Sequence, residues 1–256
     1  MGYEPYVSEV DDIDALATAF LAVDGAYLLN PPAYHHANLF ARAQTVHSAL
    51  LAAVQRAGLQ NVVALSSVGG QVASGTGNIM TTHDFEMRIR NSGQPIKVLR
   101  AANFMDNYAW SLRPVMDQGI LPSMFLPLDR ALPMVSSIDI GRTAAEMLMS
   151  GAVGPHLVEL HGPRDYSPID AANAFSAALG KVITAVEAPR QSWAGAFEKN
   201  GFSSVTVEAF CDMFDGFNND VIRFDGSGTT QRGTVTLEQV IADLFKRTTT
   251  HQEAPL

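Results

Sequence analysis

Three short runs of this chain, "AYLLN" (26–30), "NVVALSS" (61–67) and "PIKVLRA" (95–101), are apolar almost without interruption. A strand with one face in water alternates apolar and polar residues. A strand buried on both faces does not, so these runs belong in a parallel sheet covered by helices. The segments between them have helical spacing. From about His36, the residues Leu39, Ala43, Val46, Leu50 and Val54 recur on one face, and Gly58 stands just past the end. A second helix is predicted from about Thr82 to Asn91, closed by Gly93, and a third from near Asn103 to Gly119. Strand and helix alternating through short connections predict a parallel α/β sheet with right-handed crossovers. Ahead of these, Gly2 to Val10 reads as a short strand, with a helix after it carrying Ile13, Leu16, Ala19 and Phe20 behind a cap at Asp11 and Asp12.

After Gly119 the texture changes. "ILPSMFLPLDRALPMVSS" has three prolines among apolar residues and predicts short extended segments. A helix follows to Gly151, with Ser137 or Asp139 near its start and Asp139 as its cap. A strand is predicted over 156–163, a helix over Ser167–Leu179, a strand at "KVITAVEAP", aromatic-rich helix from Ser192 to Phe217, and an amphipathic helix over Leu237–Phe245. The set Met124, Phe125, Trp193, Phe197, Phe210, Met213, Phe214 and Phe217 forms either the wall of an apolar pocket or, as such sets more often do, the core of a small lobe.

Composition narrows the functions. Lys and Arg total 17 against 26 Asp and Glu, a net charge of −9. Such a surface repels phosphate backbones and anionic lipid, so neither direct nucleic-acid binding nor a membrane partner is expected. The single cysteine, Cys211, excludes an internal disulfide and a cysteine zinc cluster, and His35, His36 and His47 lack a ligand spacing, so no metal is expected. No apolar run approaches ~20 residues, and no basic start precedes an apolar core. A cytoplasmic protein is expected.

A nucleotide-binding α/β domain normally carries a glycine-rich turn between its first strand and helix. "GTGNIM" (75–80) and "GSGTTQRG" (226–233) both fail the spacing and context of that fingerprint and read as ordinary loops.

The order of motifs resembles the NmrA-like family, the atypical short-chain dehydrogenases. "GYEPYVSEVDDIDALATAFLAVDGAYLLNPP" looks like that family's third strand, following helix and fourth strand. "VVALSSVGG", "HDFEMRIRNSG", "VLRAANFMDNY", "LPMVSSIDIGRTAAEML" and "LHGPRDYSPIDAANAFSAALG" continue it in register to about residue 190. The family's opening, with its first strand, GxxGxxG turn and second strand, has no counterpart here, a gap of roughly forty residues. The expected fold is therefore an N-terminally truncated, Rossmann-like doubly wound parallel sheet with a smaller mixed C-terminal lobe. Residues 1–120 would form a partial dinucleotide-binding domain and 121–256 a substrate lobe, with 137–163 returning to the main sheet. The gap leaves "AYLLN" with an open edge, and a homo-oligomer or strand-swapped dimer would repair it.

The resemblance also implies a site. NADP or NAD is the implied cofactor, although the missing turn removes its phosphate grip. Asn30, Pro31 and Pro32 would border the cofactor cleft while also ending a strand. Ser66 and Ser67 stand where the short-chain dehydrogenases carry a serine on the substrate carbonyl, a position where a serine also serves as a loop cap. The partner Tyr-x-x-x-Lys is absent. His83 lies one residue beyond the family's His or Lys position, about 100° around a helix, where a helix-capping residue is equally at home; as a catalytic group it would donate a proton. Arg100, Ala101, Asn103 and Phe104 match the "LRPxxFMEN" loop over the nicotinamide, with the proline replaced by Ala101 or Ala102, the Glu by Asp106, and Asn103 expected to cap the next helix. The implied function is an NAD(P)H-dependent reductase of a small apolar substrate, quinone-like or dye-like. The alternatives are a non-catalytic redox-sensing regulator and a cofactor-free remnant.

Overall fold

In the computed structural model, which describes residues 5–252, the three apolar runs lie side by side. Along the chain come α1 (Ile13–Leu21), β1 (Ala26–Leu28), α2 (Leu39–Ala57), β2 (Val62–Ser67), α3 (Met80–Ser92), β3 (Ile96–Ala101), β4 (Asn103–Phe104), α4 (Leu112–Gln118), β5 (Ile120–Ser123) and β6 (Leu132–Val135). They are followed by α5 (Ser137–Met149), β7 (Leu157–His161), β8 (Asp165–Tyr166), α6 (Pro168–Leu179), β9 (Thr184–Glu187), α7 (Trp193–Glu198), α8 (Ser204–Asn218), β10 (Thr229–Arg232) and α9 (Leu237–Gln252). The main sheet is parallel throughout, in the order β1-β2-β3-β7-β10. It is a Rossmann-like α/β sheet with a smaller mixed part formed by β4-β6-β8 and β5-β9.

Both faces of the main sheet are covered, which explains the unbroken apolar runs. Val62 and Ala64 pack with Val46, Leu50 and Val54 of α2 and Phe85 and Ile89 of α3. Their neighbour Val63 points the other way, joining Leu99, Val158 and Leu160 against Ile140, Ala144 and Met147 of α5. Each of the larger side chains, the Val, Leu, Ile, Phe and Met residues, stabilises the fold by about 1.5–3 kcal/mol relative to exposure. Strand β1 lies at one edge of the sheet.

Local signals place the helix ends. Asp12 caps α1, Asn38 caps α2, and Ser167 caps α6 through a reciprocal capping box with Asp170. Gly58, Gly93, Gly119 and Gly180 end helices in the left-handed conformation.

Four expectations are corrected. Residues 5–10 form no strand, and Val7 is almost fully exposed, because no described strand lies alongside to complete a ladder; residues 2–4 of the expected strand lie outside the described part. Asn103 caps no helix: it pairs in β4 with Met134 of β6, and a 3-10 turn over 105–111 precedes the short α4. Asp139 does not cap its own helix, a role Ser136 fills; its Oδ2 instead accepts the N–H groups of Thr234 and Val235 at 3.0 and 2.8 Å. Within "GSGTTQRG", Thr229–Arg232 is β10, paired with β7. The aromatic and methionine set packs around Trp193, Phe197 and Phe217 as the core of the smaller lobe.

Two buried basic groups hold helices in place, Lys97 joining α5 to the sheet and His47 joining α2 to α3. Lys97 of β3 donates to the carbonyl of Met147 at 2.6 Å, to Ser150 Oγ at 3.1 Å and to the carbonyl of Gly151, so the ammonium plugs the carboxyl end of α5, where the helix dipole favours it. Burial pulls its pKa below the usual lysine value. His47, fully buried in α2, stacks on Phe85 at 4.4 Å and places Nδ1 2.9 Å from Asp84 Oδ2. Burial lowers the His47 pKa, outweighing the opposing pull of Asp84. The unfolded chain therefore takes up this proton first. Stability from His47 is complete above the usual imidazole value of 6.5 and declines as pH falls below it. Urea unfolding between pH 7.5 and 5 (on the order of two units of pH around the imidazole range) should show that decline, flattened in His47→Gln. Parallel curves for the two proteins would exclude this role.

Candidate functional site

In a parallel α/β sheet, ligands bind outside the carboxyl ends of the strands. Here three loops leave those ends, at 29–38 after β1, 68–79 after β2, and 102–111 after β3. Asn30 is the second residue past β1, and its Oδ1 is buried without a hydrogen-bond partner among the described residues. An unpaired buried acceptor costs about 1–3 kcal/mol, so it marks a place where a donor fits. Pro31 beside it is half-buried and Pro32 is exposed.

The two serines ending β2 point to opposite sides. Ser66 is buried and donates to Glu86 Oε1 at 2.5 Å. Ser67 is half-buried, with a hydroxyl that has no partner among the described residues.

Beneath the crevice lies an ionic network centred on Arg100. Its Nε and Nη2 donate to the two carboxylate oxygens of Glu86 at 2.9 and 2.6 Å, while Nη1 donates to Asp225 Oδ1 at 3.2 Å and Ser227 Oγ at 3.0 Å. Glu159 is the fourth member, with Oε1 3.5 Å from Nη1. Burial works against the Arg100 charge, but its carboxylate partners hold the pKa above the usual value. Glu159 is pushed up, first by burial and then by the neighbouring Asp225, while Asp225 is held down despite its own burial, chiefly by its hydrogen bonds with Ser227. All three guanidinium nitrogens are thus engaged by protein oxygens. Arg100 supports the crevice from below rather than lining it.

Ala101 is fully buried in the core, Phe104 is half-buried, and Asn103 Nδ2 donates to the Pro133 carbonyl at 3.4 Å. His83, in the first turn of α3, is half-buried and donates its Nδ1–H to the Gly70 carbonyl at 2.9 Å. That leaves Nε2 without a protein partner among the described residues.

The second wall comes from the smaller lobe. Tyr34 of the first loop stacks on Phe202 at 4.8 Å and its carbonyl accepts the Ser203 N–H at 3.0 Å, while His35 Nδ1 hydrogen-bonds the Gly201 carbonyl at 2.7 Å. Burial raises the Tyr34 pKa, keeping the phenol neutral. Helix α8 presses on the loop after β2, and between them opens a recess of about 400 Å³. Phe40, Gly75, Gly77, Met80, Val205 and Ala209 line it, with the exposed Glu208 and Asp212 in the same wall. No composition or motif signal singles out that pair; only the fold turns one face of α8 toward the loop.

A nicotinamide dinucleotide fits these residues in one half. Asn30 Oδ1 and Ser67 Oγ are free polar groups suited to the amide and hydroxyls of a nicotinamide riboside. For the pyrophosphate, no described glycine forms a turn directly joining a strand to a helix start. A Cβ on Gly70 or Gly77 would meet protein oxygens at 2.4 and 1.9 Å, so neither opens a cradle for phosphate. Among the described residues there is also no group of three or more His, Cys, Asp or Glu able to hold a metal.

No protein-family model and no curated protein matches the sequence. Solved structures do. An NADPH-dependent quinone oxidoreductase from Escherichia coli, complexed with NADPH, is 20% identical with a TM-score of 0.73, covering 94% of this chain and 83% of that one. The triphenylmethane reductase of Citrobacter sp. is 15% identical with a TM-score of 0.68, covering 93% and 82%. NmrA, a negative transcriptional regulator in complex with NADP, is 17% identical with a TM-score of 0.64, covering 95% and 80%.

The chain has the NmrA-like fold.

The likeness covers nearly the whole of this chain, so it takes in the main sheet and the smaller part alike. At these identities it establishes architecture. What the crevice does follows from its own residues.

Proposed function

We propose that this protein is an NmrA-like reductase that passes hydride from NADPH or NADH to a small apolar acceptor seated in the recess under α8. The observation that carries this reading is the pair of free polar groups, Asn30 and Ser67, at the carboxyl ends of adjacent strands, with an apolar recess walled in part by the loop that follows Ser67. The dinucleotide supplies hydride. Asn30, Pro31, Pro32, Asn103 and Phe104 border its nicotinamide end. Ser67 polarises the acceptor; Ser66, Glu86, Arg100 and Ala101 hold the floor. His83 relays a proton through Nε2 to acceptors that need one.

A second reading, a dinucleotide-sensing protein without turnover, draws on the absent Tyr-x-x-x-Lys pair. In both, the partner is a small molecule, and the edge strand β1 is where a second copy would pair. No described helix is long and apolar enough to cross a membrane.

Calorimetric titration of NADPH and NADH tests both readings. Saturable binding at micromolar strength, about 8 kcal/mol, is expected, and consumption of NADPH with a quinone then separates reductase from sensor. A folded, monodisperse protein that binds neither dinucleotide would overturn both.

A further inference from the structure

We propose that residues 219–228, which join α8 to β10, form a strap that closes over the loop after β2 while Glu159 carries a proton and lifts when Glu159 ionises. The proposal does not depend on the reductase reading and holds equally for a sensor.

Both ends of the strap are fixed. At the first, Arg130 donates to the Phe217 carbonyl at 2.6 Å and to Asp220 Oδ1 at 2.7 Å, and Asp220 turns the chain at a φ of +59°. At the other, Thr229 enters β10 beside β7. Between them the strap rests on the 68–79 loop. Gln71 donates to the Arg223 carbonyl at 2.7 Å, and a Cβ on Gly69 would stand only 3.0 Å from Ile222. Phe224 packs on His161 of β7 with ring centres 4.3 Å apart. At Gly226 nothing lies within 4 Å of where a Cβ would be, so the strap is open on that side.

The closing contact is the Arg100 network, in which one guanidinium faces three carboxyls, Glu86, Glu159 and Asp225. Glu86 occupies Nε and Nη2, which leaves Nη1 to Asp225, Ser227 and Glu159. Glu159 is the worst served. It is 1% exposed, and its Oε1, 3.5 Å from Nη1, makes no hydrogen bond among the described residues. A carboxylate there lacks the hydrogen bonds that burial of a charge requires. Water would supply them, and the strap stands in its way: a Cβ on Gly228 would meet Glu159 Cγ at 3.2 Å.

The loop under the strap also gains from release. Three of its buried polar atoms, Gln71 Oε1, Thr76 Oγ1 and Asn78 Oδ1, have no hydrogen-bond partner among the described residues. Each is a cost that the closed form carries and that water relieves. Closed and lifted forms are thereby brought close enough in energy for one proton to tip them.

The groups that face Glu159 set the direction of the effect. Arg100 of β3 favours its ionised form, while burial and Asp225 of the strap oppose it; Glu86 of α3 stands behind Arg100, and β10 sets the uncharged Thr230 alongside. The balance raises the Glu159 pKa. The closed form therefore holds more protons than the lifted one, in which the usual 4.5 returns. The contribution to closure is complete below that value and is lost as pH rises through the raised one. His161, held below 6.5 by burial, and Asp225, held below 3.8, act in the opposite sense and loosen the strap only as pH falls.

The test is hydrogen–deuterium exchange of the full chain, read by mass spectrometry between about pH 5 and about pH 7.5, with labelling times scaled to the intrinsic rate at each pH. The amides of Asp220, Val221, Ile222 and Ser227 are hydrogen-bonded in the closed form. They should lose protection by about tenfold as pH rises, the factor carried by one unit of pKa difference between the two forms. The Val72 amide of the loop below, bonded to the Gly69 carbonyl, should loosen with them, while β2 and β3 stay protected. Glu159→Gln, the neutral isostere, should keep the strap protected throughout. Asp225→Asn removes the like charge but keeps an oxygen for Ser227, and should shrink the fall. Protection that does not fall in the wild type, a fall that Glu159→Gln leaves in place, or one shared equally by β2 and β3 would each overturn the proposal. If Glu159→Gln does not fold, the wild-type and Asp225→Asn curves decide, and an undiminished fall in the latter overturns it.

Discussion

Replacing Arg100 with methionine should cost about 3–5 kcal/mol of folding stability, because breaking a buried ion pair from one side leaves the other charge without compensation. The residue is 2% exposed, and the Glu86 and Glu159 it faces are 8% and 1% exposed. Without the guanidinium, both carboxyls must take protons or draw in water, and Ser66, Ser227 and Asp225 lose the geometry built around them. For a chain of this size the thermal midpoint should fall by roughly 10 °C. Urea unfolding would show it as a lower midpoint with unchanged slope. Adding Glu86→Met to the same variant should recover part of the loss, since an apolar pair replaces an orphaned charge. A single variant less than about 1 kcal/mol below wild type would mean that the network is solvated in solution.

The second large effect is expected at Gly77. Its φ is +55°, and a Cβ there would lie 1.9 Å from the Ala209 carbonyl oxygen and 2.4 Å from the Met213 nitrogen. Both are backbone atoms of α8, so no rotamer change relieves the collision. Gly77→Ala should combine about 1–2 kcal/mol of left-handed strain with about 1–3 kcal/mol of overpacking. The helix would be pushed off the loop, and ligand affinity in the recess would fall with stability. Gly75→Ala is the matched comparison: φ is +75°, yet the nearest atom is Val221 Cγ1 at 3.7 Å, an ordinary contact. Urea midpoints and recess affinity measured on both variants should separate collision from strain. Equal losses would show that α8 yields without cost.

What the sequence discloses here follows the range of the forces involved. The cap at Asp12 and the glycines ending the helices at Gly58, Gly93 and Gly119 are decided within a few residues, and they are legible. So is burial of β2 and β3 on both faces, because it leaves its mark in unbroken apolar runs. Asn103 behaves otherwise. Its pairing with Met134 is made across thirty-one positions, and a short strand there wins over the local helical signal. Asp139 reaches Thr234 and Val235 from a helix start that already has Ser136 as its cap. β10 is polar and sits at a sheet edge, so Thr229–Arg232 carries no apolar pattern at all. In the crevice, Asn30, Ser67 and His83 are candidates that only the resemblance named, whereas the different settings of Ser66 and Ser67 depend on where Glu86 stands. Glu208 and Asp212 are two acids among twenty-six until the fold turns them toward a cavity.

The plug that Lys97 makes in the carboxyl end of α5 also shapes how the molecule can be handled. Only four lysines occur, and the other three, Lys181, Lys199 and Lys246, are exposed and all follow residue 180. Amine-directed coupling to a sensor surface, a dye or a cross-linker therefore reaches no lysine side chain of the sheet from β1 to β7. Protein tethered through its lysines is held by the smaller lobe, with the face carrying α2 and α3 left free of attachment chemistry.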